Sequence, residues 1–279
     1  MDNKARGFFG ERPLPNFEVD PEVLRRRTRR DVLLFGALAV AALAGGGSLL
    51  PQDTLTRLGV RRNMNSPAAE WLLNRALRID DDVAETLYSP RRTVPTYTKS
   101  QITSLKNNYN GATPDPGYIP GWHLTLDGLA SGVSIALDIR SLMTRFSMLE
   151  QITRLVCVEG WSAVAWWAGL RFDDLLRAYP PASQAKWVRV ESSVNLDASG
   201  SPDPYFMSLD LATARHPQTL LATHLNGKPL TVKHGAPLRL LVPVKLGLKN
   251  VKAITKLTYI AEEPRDYWAE RGYSRYDGI

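Results

Sequence analysis

The chain has 279 residues, 44% of them hydrophobic, with 35 Lys and Arg against 28 Asp and Glu for a formal charge of +7. That size and balance suit one large domain, or one domain plus a processed leader, with an ordinary core. The single cysteine excludes a disulfide framework, a four-cysteine zinc site, a cysteine-held iron–sulfur cluster and a CxxCH haem attachment, and the lack of a long basic tract interleaved with aromatics argues against a nucleic-acid partner.

Residues 1–50 read as an export signal or anchor. Arg25-Arg26-Arg27-Thr28-Arg29-Arg30 precedes an apolar stretch from Val32 to Ala44, which Gly45-Gly46-Gly47-Ser48 breaks. Thr28-Arg29-Arg30-Asp31-Val32-Leu33 resembles the twin-arginine signature, whose pathway exports proteins already folded around a cofactor. Cleavage after Ala44 and retention as a membrane anchor both remain open. Residues 51–117 read as a helical segment and a strap. The helix is predicted over 66–89, with Ser66 as N-cap, Pro67 in the first turn and Glu70 near the capping-box offset. The Pro-, Gly-, Asn- and Thr-rich run over 90–121 predicts an extended strap laid over something larger.

The compact domain is expected over 118–265, with a tail over 266–279. "WHLTLDGL" (122–129) alternates like a strand entering a turn, and "SIALDIRSLMTRF" (134–146) mixes strand and helix signals. "EQITRLVCVEGW" (150–161) reads as a buried strand that ends near Cys157. "FDDLLRAY" (172–179) is a short helix. "AKWVRVES" (185–192), "PLRLLVPVKLG" (237–247) and "VKAITKLTYIAEE" (251–263) are further strands. Strands outnumber helices without regular βαβ spacing, so the fold class is α+β with mixed sheets.

Cys157 stands where a buried strand opens into a loop. By itself it is packing filler, a nucleophile or a soft ligand for a transition metal. Glu159 lies two residues on and shares its face if the strand continues.

"CVEGWSAVAWWAGLRFDDLL" (157–176) resembles the molybdopterin-binding domain of the sulfite oxidase family, most of all its methionine-sulfoxide-reducing branch. "HPQTLLATHLNGKPLTVKHGAPLRLLVPVKLGLKNVKAI" (216–254) is similar to the family's Gly-Ala-Pro-hydrophobic-Arg turn and lysine-rich loop. "KNNYNG" (106–111) is similar to a segment of its strap. The resemblance implies a Mo-molybdopterin cofactor, with Cys157 as the molybdenum ligand. It implies that Asn107, Asn110, Ser192, His234, Arg239, Asn250, Val251 and Lys252 bind the cofactor, with Arg239 and Lys252 at its phosphate. Ser192 falls where the family has threonine, His234 where the reducing branch has asparagine, and Asn110-Gly111 where that branch has Tyr-Glu. Trp161, Trp166 and Trp167 are expected in the core.

The implied reaction is oxygen-atom transfer. Sulfite-oxidising members carry an arginine a few residues after the cysteine; here that stretch is Val158-Glu159-Gly160-Trp161-Ser162. A carboxylate repels the sulfite dianion, so a sulfoxide substrate is expected, with Glu159 either a catalytic proton donor or a loop-shaping carboxylate. The alternatives are sulfite oxidation, or an inactive protein that binds only pterin or a partner. With no haem or cluster motif of its own, the chain is expected to act as a monomeric catalytic subunit in the periplasm, fed by a membrane haem or flavin partner.

Overall fold

The computed structural model describes Arg75, Ser89 and residues 92–107, 115–196, 204–264, 266–271, 273 and 276. The export segment, most of the helix expected over 66–89, and Asn110 lie outside these residues. Among the described residues, no helix is long and apolar enough to cross a membrane.

Among the described residues, ten strands form two sheets. The first, in the order β2-β1-β10-β5-β6, contains β1 (His123–Asp127), β2 (Ile135–Asp138), β5 (Trp187–Asn195), β6 (Pro204–Asp210) and β10 (Ile254–Ile260). Its β1–β10 pair is parallel and its other pairs antiparallel. The second contains β3 (Met148–Val156), β4 (Ser162–Arg171), β7 (Leu220–Leu225) and β8 (Lys228–Pro229) in that order, with β9 (Arg239–Leu241) also on β7. Helices are short: α1 (Ile139–Arg145), α2 (Phe172–Ala178) and α3 (Leu211–Ala214). Asp138 and Asp210 cap α1 and α3 by accepting the backbone N–H of Ser141 and Thr213. The expected α+β class is what the chain forms.

The larger apolar cluster joins the two sheets. Leu124 and Leu126 of β1, Val188 and Val190 of β5 and Leu257 of β10 meet Leu170 of β4, Leu221 of β7 and Leu240 of β9. A second cluster covers the other face of the second sheet, where Ala165, Trp167, Leu220, Ala222 and Leu241 pack with Leu105 and Ile119. β4 is therefore apolar on both faces. Its sequence, SAVAWWAGLR, shows no period-2 alternation, so the pattern that marks a strand is absent from it.

Residues 92–107 run along the second sheet. Thr96 bridges Thr153, and Tyr97 N–H donates to the Ile152 carbonyl at 2.9 Å. β7 pairs with β4 from Trp167 to Arg171. Beyond that span Thr103 takes over: its N–H donates to the Val164 carbonyl, and its hydroxyl accepts Val164 N–H, both at 2.9 Å. The strap thus closes a sheet edge that would otherwise expose unpaired backbone and carries Lys106 and Asn107 onward.

Candidate active site

β3 and β4 pair through Val156 and Ser162, leaving the five-residue loop Cys157–Trp161. Cys157 N–H donates to the Trp161 carbonyl at 2.9 Å, and Gly160 N–H donates to the Cys157 carbonyl at 3.1 Å. Gly160 sits at φ +84°, a left-handed conformation that glycine adopts without penalty. The chain turns at the cysteine, so Glu159 rides on the loop and not on a continuing strand face. Cys157 is buried at 8% exposure.

A cavity of about 280 Å³ opens at this loop. Cys157, Glu159 and Trp161 form one wall, and Leu105 and Lys106 of the strap form a second. Arg239, Gly247, Leu248, Asn250 and Lys252 come from β9 and the loop after it. Leu155, Val158, Val194, Leu196, Tyr205, Trp268 and Tyr273 complete the lining. A Cβ on Gly247 would stand 3.4 Å from Cys157 Cα, so glycine there preserves the space beside the cysteine.

One end of the cavity is cationic. Arg239 is 2% exposed, and its guanidinium lies 4.7 Å from the centre of the Trp167 ring. It donates to the carbonyls of His234 (3.1 Å) and Asn250 (3.4 Å). Burial, and then the Arg239 charge, push the Lys252 ammonium down to a pKa of about 7. Its Nζ donates to Asn107 Oδ1 at 3.2 Å and the Lys233 carbonyl at 3.4 Å. Burial, with the charges of Arg239, Lys252 and Lys233, also lowers the His234 pKa, and His234 Nδ1 is buried without a hydrogen-bond partner. Positive groups that depress one another in this way are relieved by an anion, and a guanidinium fork matches phosphate oxygens.

The remaining expected residues stand behind this end. Ser192 does not line the cavity; its hydroxyl donates to the Lys252 carbonyl at 2.6 Å and accepts Val194 N–H at 3.0 Å, so it holds the lysine's backbone. Asn250 does line it, but its side chain braces the loop, accepting Val242 N–H at 2.7 Å and donating to the Leu246 carbonyl at 3.0 Å. Val251 is fully buried and accepts Leu240 N–H at 2.8 Å. Of the three loop lysines only Lys252 reaches the cavity. Lys249 is ion-paired with buried Asp266, and the Lys245 ammonium lies 2.9 Å from the Tyr276 ring centre.

Sequence reasoning missed Lys106, Tyr205, Trp268 and Tyr273 as lining, and it placed Trp161 in the core, where the structure puts it on the cavity wall beside Cys157. Trp167, by contrast, is fully buried as expected. The available signals were the lysine opening the "KNNYNG" segment and the aromatic density of the C-terminal tail. Lys106 Nζ donates to Glu159 Oε2 at 3.2 Å, and Trp161 Nε1 donates to the same oxygen at 2.8 Å. Both contacts favour the ionised carboxylate.

Among the described residues, no three His, Cys, Asp or Glu side chains gather to cage a metal. The protein offers one soft thiol at one end of the cavity. At the other it offers the buried Arg239 guanidinium and the partly buried Lys252 ammonium, while His234 stands outside the lining. That donor set fits a cofactor that brings its own sulfur ligands and a phosphate.

The family model described as the oxidoreductase molybdopterin binding domain matches residues 110–268. The chain is 31% identical to the protein-methionine-sulfoxide reductase catalytic subunit MsrP of Xanthomonas campestris pv. campestris, over 94% of this chain and 79% of that one. The same identity and coverage hold for the subunit of that name from Xanthomonas axonopodis pv. citri. The crystal structure of the sulfane dehydrogenase SoxCD from Paracoccus pantotrophus aligns with a TM-score of 0.45 at 19% identity, over 63% of this chain and 46% of that one. The chain therefore belongs to the oxidoreductase molybdopterin binding domain family, and it is an oxidoreductase of the sulfite oxidase type whose cofactor is molybdopterin.

Proposed function

We propose that this protein is an exported catalytic subunit that reduces a sulfoxide of the methionine-sulfoxide type, with electrons from a separate membrane haem or flavin protein. The carrying observation is Glu159: an ion-paired carboxylate occupies the cysteine loop, where a sulfite-oxidising site needs an arginine. At about 6 Å and an effective dielectric near 20, a unit charge pair is worth roughly 3 kcal/mol, part of which Lys106 offsets. Sulfite, a dianion, is disfavoured; a neutral sulfoxide is not. The names of the two Xanthomonas relatives agree with this substrate.

The molybdenum–molybdopterin cofactor supplies oxygen-atom transfer, by which a sulfoxide, two electrons and two protons become a thioether and water. Cys157 ligates the molybdenum as a thiolate. Arg239 and Lys252 bind the phosphate, and Ser192, Asn250 and Val251 hold the backbone that presents Lys252. Asn107 and Asn110 contact the pterin, and His234 donates to the pterin or phosphate. Glu159 acts as a charged acceptor that shapes the loop and excludes anions. The twin-arginine motif over 28–33 supports export to the periplasm after cofactor loading.

The deciding experiment is metal analysis of protein from a molybdenum-replete host, followed by dye-driven reduction of methionine sulfoxide and oxidation of sulfite. Stoichiometric molybdenum and turnover of sulfoxide alone are expected, both lost in Cys157→Ser. Turnover of sulfite alone refutes the argument from Glu159. Protein without molybdenum, with Cys157→Ser indistinguishable from wild type, leaves only a pterin- or partner-binding role.

A further inference from the structure

One wall of the cavity owes nothing to the three sequence motifs. Trp268 and Tyr273, from the C-terminal segment, line it together with Tyr205. The rings form an edge-to-face chain: Tyr205 to Tyr267 at 5.5 Å between centroids, Tyr267 to Trp268 at 5.2 Å, and Trp268 to Tyr273 at 5.2 Å. The base of this chain is anchored. Buried Asp266 pairs with Lys249 of the cavity loop and accepts Ala269 N–H at 2.8 Å. Tyr267 N–H donates to the Phe206 carbonyl at 3.2 Å, and the Arg271 guanidinium lies 3.5 Å from the Tyr267 ring centre. Despite this anchoring, Tyr273 is 42% exposed, and Val158 of the cysteine loop, which also lines the cavity, is 46% exposed. A fixed apolar surface is thus held open at the mouth.

The volume says what that surface serves. At about 280 Å³ the cavity lies just below the roughly 300–1,000 Å³ typical of ligand sites. A pterin cofactor seated with its phosphate at Arg239 and Lys252 uses that space, so the substrate meets it at the mouth. We propose that Trp268 and Tyr273 determine specificity by holding the side chain and adjoining backbone of a peptide-borne sulfoxide against the opening. This rests on the sulfoxide reading above. Aromatic faces accept methylene groups and polarisable sulfur without demanding a charge, which suits a neutral side chain presented on a larger chain. A small free sulfoxide engages far less of this wall.

The test uses the molybdenum-loaded enzyme, a fluorescein-labelled methionine-sulfoxide peptide and dimethyl sulfoxide. Trp268→Ala is expected to weaken peptide binding, read by anisotropy, about tenfold and to raise KM for the peptide as much, with kcat within about twofold. The ratio of kcat/KM for peptide over dimethyl sulfoxide falls by a similar factor, and Trp268→Phe restores most of it. Tyr273→Ala, at the exposed end, gives the same direction should Trp268→Ala fail to load molybdenum or melt early. Wild-type peptide binding and wild-type discrimination in loaded, folded variants overturn the rim's role. Wild-type enzyme that binds the peptide yet reduces neither sulfoxide overturns the proposed reaction and leaves the rim standing.

Discussion

Asp266→Asn isolates one charge in the core. Asp266 and Lys249 are 0% and 2% exposed, and the carboxylate Oδ2 accepts from the ammonium. Asparagine keeps Oδ1 as acceptor for Ala269 N–H, so the turn at 266–269 retains its cap. The charge is lost, and Lys249 is left buried with the Ser208 carbonyl, 3.2 Å away, as its acceptor. Breaking one side of a buried pair costs about 3–5 kcal/mol, because the surviving ion remains out of water. At about 2–4 °C per kcal/mol for a domain of this size, the melting temperature falls by roughly 6–20 °C. Lys249→Met/Asp266→Leu removes both charges and is expected to recover most of the loss, less about 1 kcal/mol for the missing cap. Urea and thermal unfolding of the three proteins provide the measurement. A single variant within about 1 kcal/mol of wild type, or a double variant no better than the single one, refutes the reasoning.

Other outcomes follow from the cationic end and the cysteine loop. In cofactor-free protein Lys252 titrates near pH 7, against an ordinary value of 10.5. Between those values the unfolded chain holds a proton that the folded chain lacks, so this group's contribution to stability rises with pH across the window. Lys252→Met should therefore be more stable than wild type at pH 6, with the advantage shrinking toward pH 10; a pH-independent difference in urea midpoint contradicts the burial argument. Arg239→Gln removes charge-assisted hydrogen bonds to phosphate worth about 1.5–3 kcal/mol, so cofactor retention should weaken roughly 10- to 150-fold, read as molybdenum content after dialysis. Glu159→Gln lifts the repulsion of sulfite, and its inhibition constant against sulfoxide reduction should fall about tenfold; unchanged inhibition shows that the carboxylate does not sort substrates.

Elements governed by local chemistry were legible in the sequence. β1, β3, β5 and β10 carry period-2 patterning, whereas 134–146 mixes strand and helix signals, and it is the structure that divides it into β2 and α1 at the cap Asp138. β4, β6 and β7 were not read as strands. For β4 and β7 the reason is burial on both faces, which erases the alternation that marks a strand.

The same division runs through the site. The sequence by itself determined the chemistry on offer: a lone thiol where β3 ends, a carboxylate two residues on, and an arginine and a run of lysines around one turn and loop. These features depend on neighbours within a few residues. Tertiary structure decided which of them meet. It turned Lys252 into the cavity and Lys249 into the core, although the two stand three residues apart in one loop. It gave Glu159 its partner Lys106, 53 residues away. It also brought Trp268 and Tyr273 to a mouth that the cysteine opens more than a hundred residues earlier. The physical reason is that pairing and burial depend on which surfaces the two sheets, the strap and the tail bring together, and no local pattern encodes that distance.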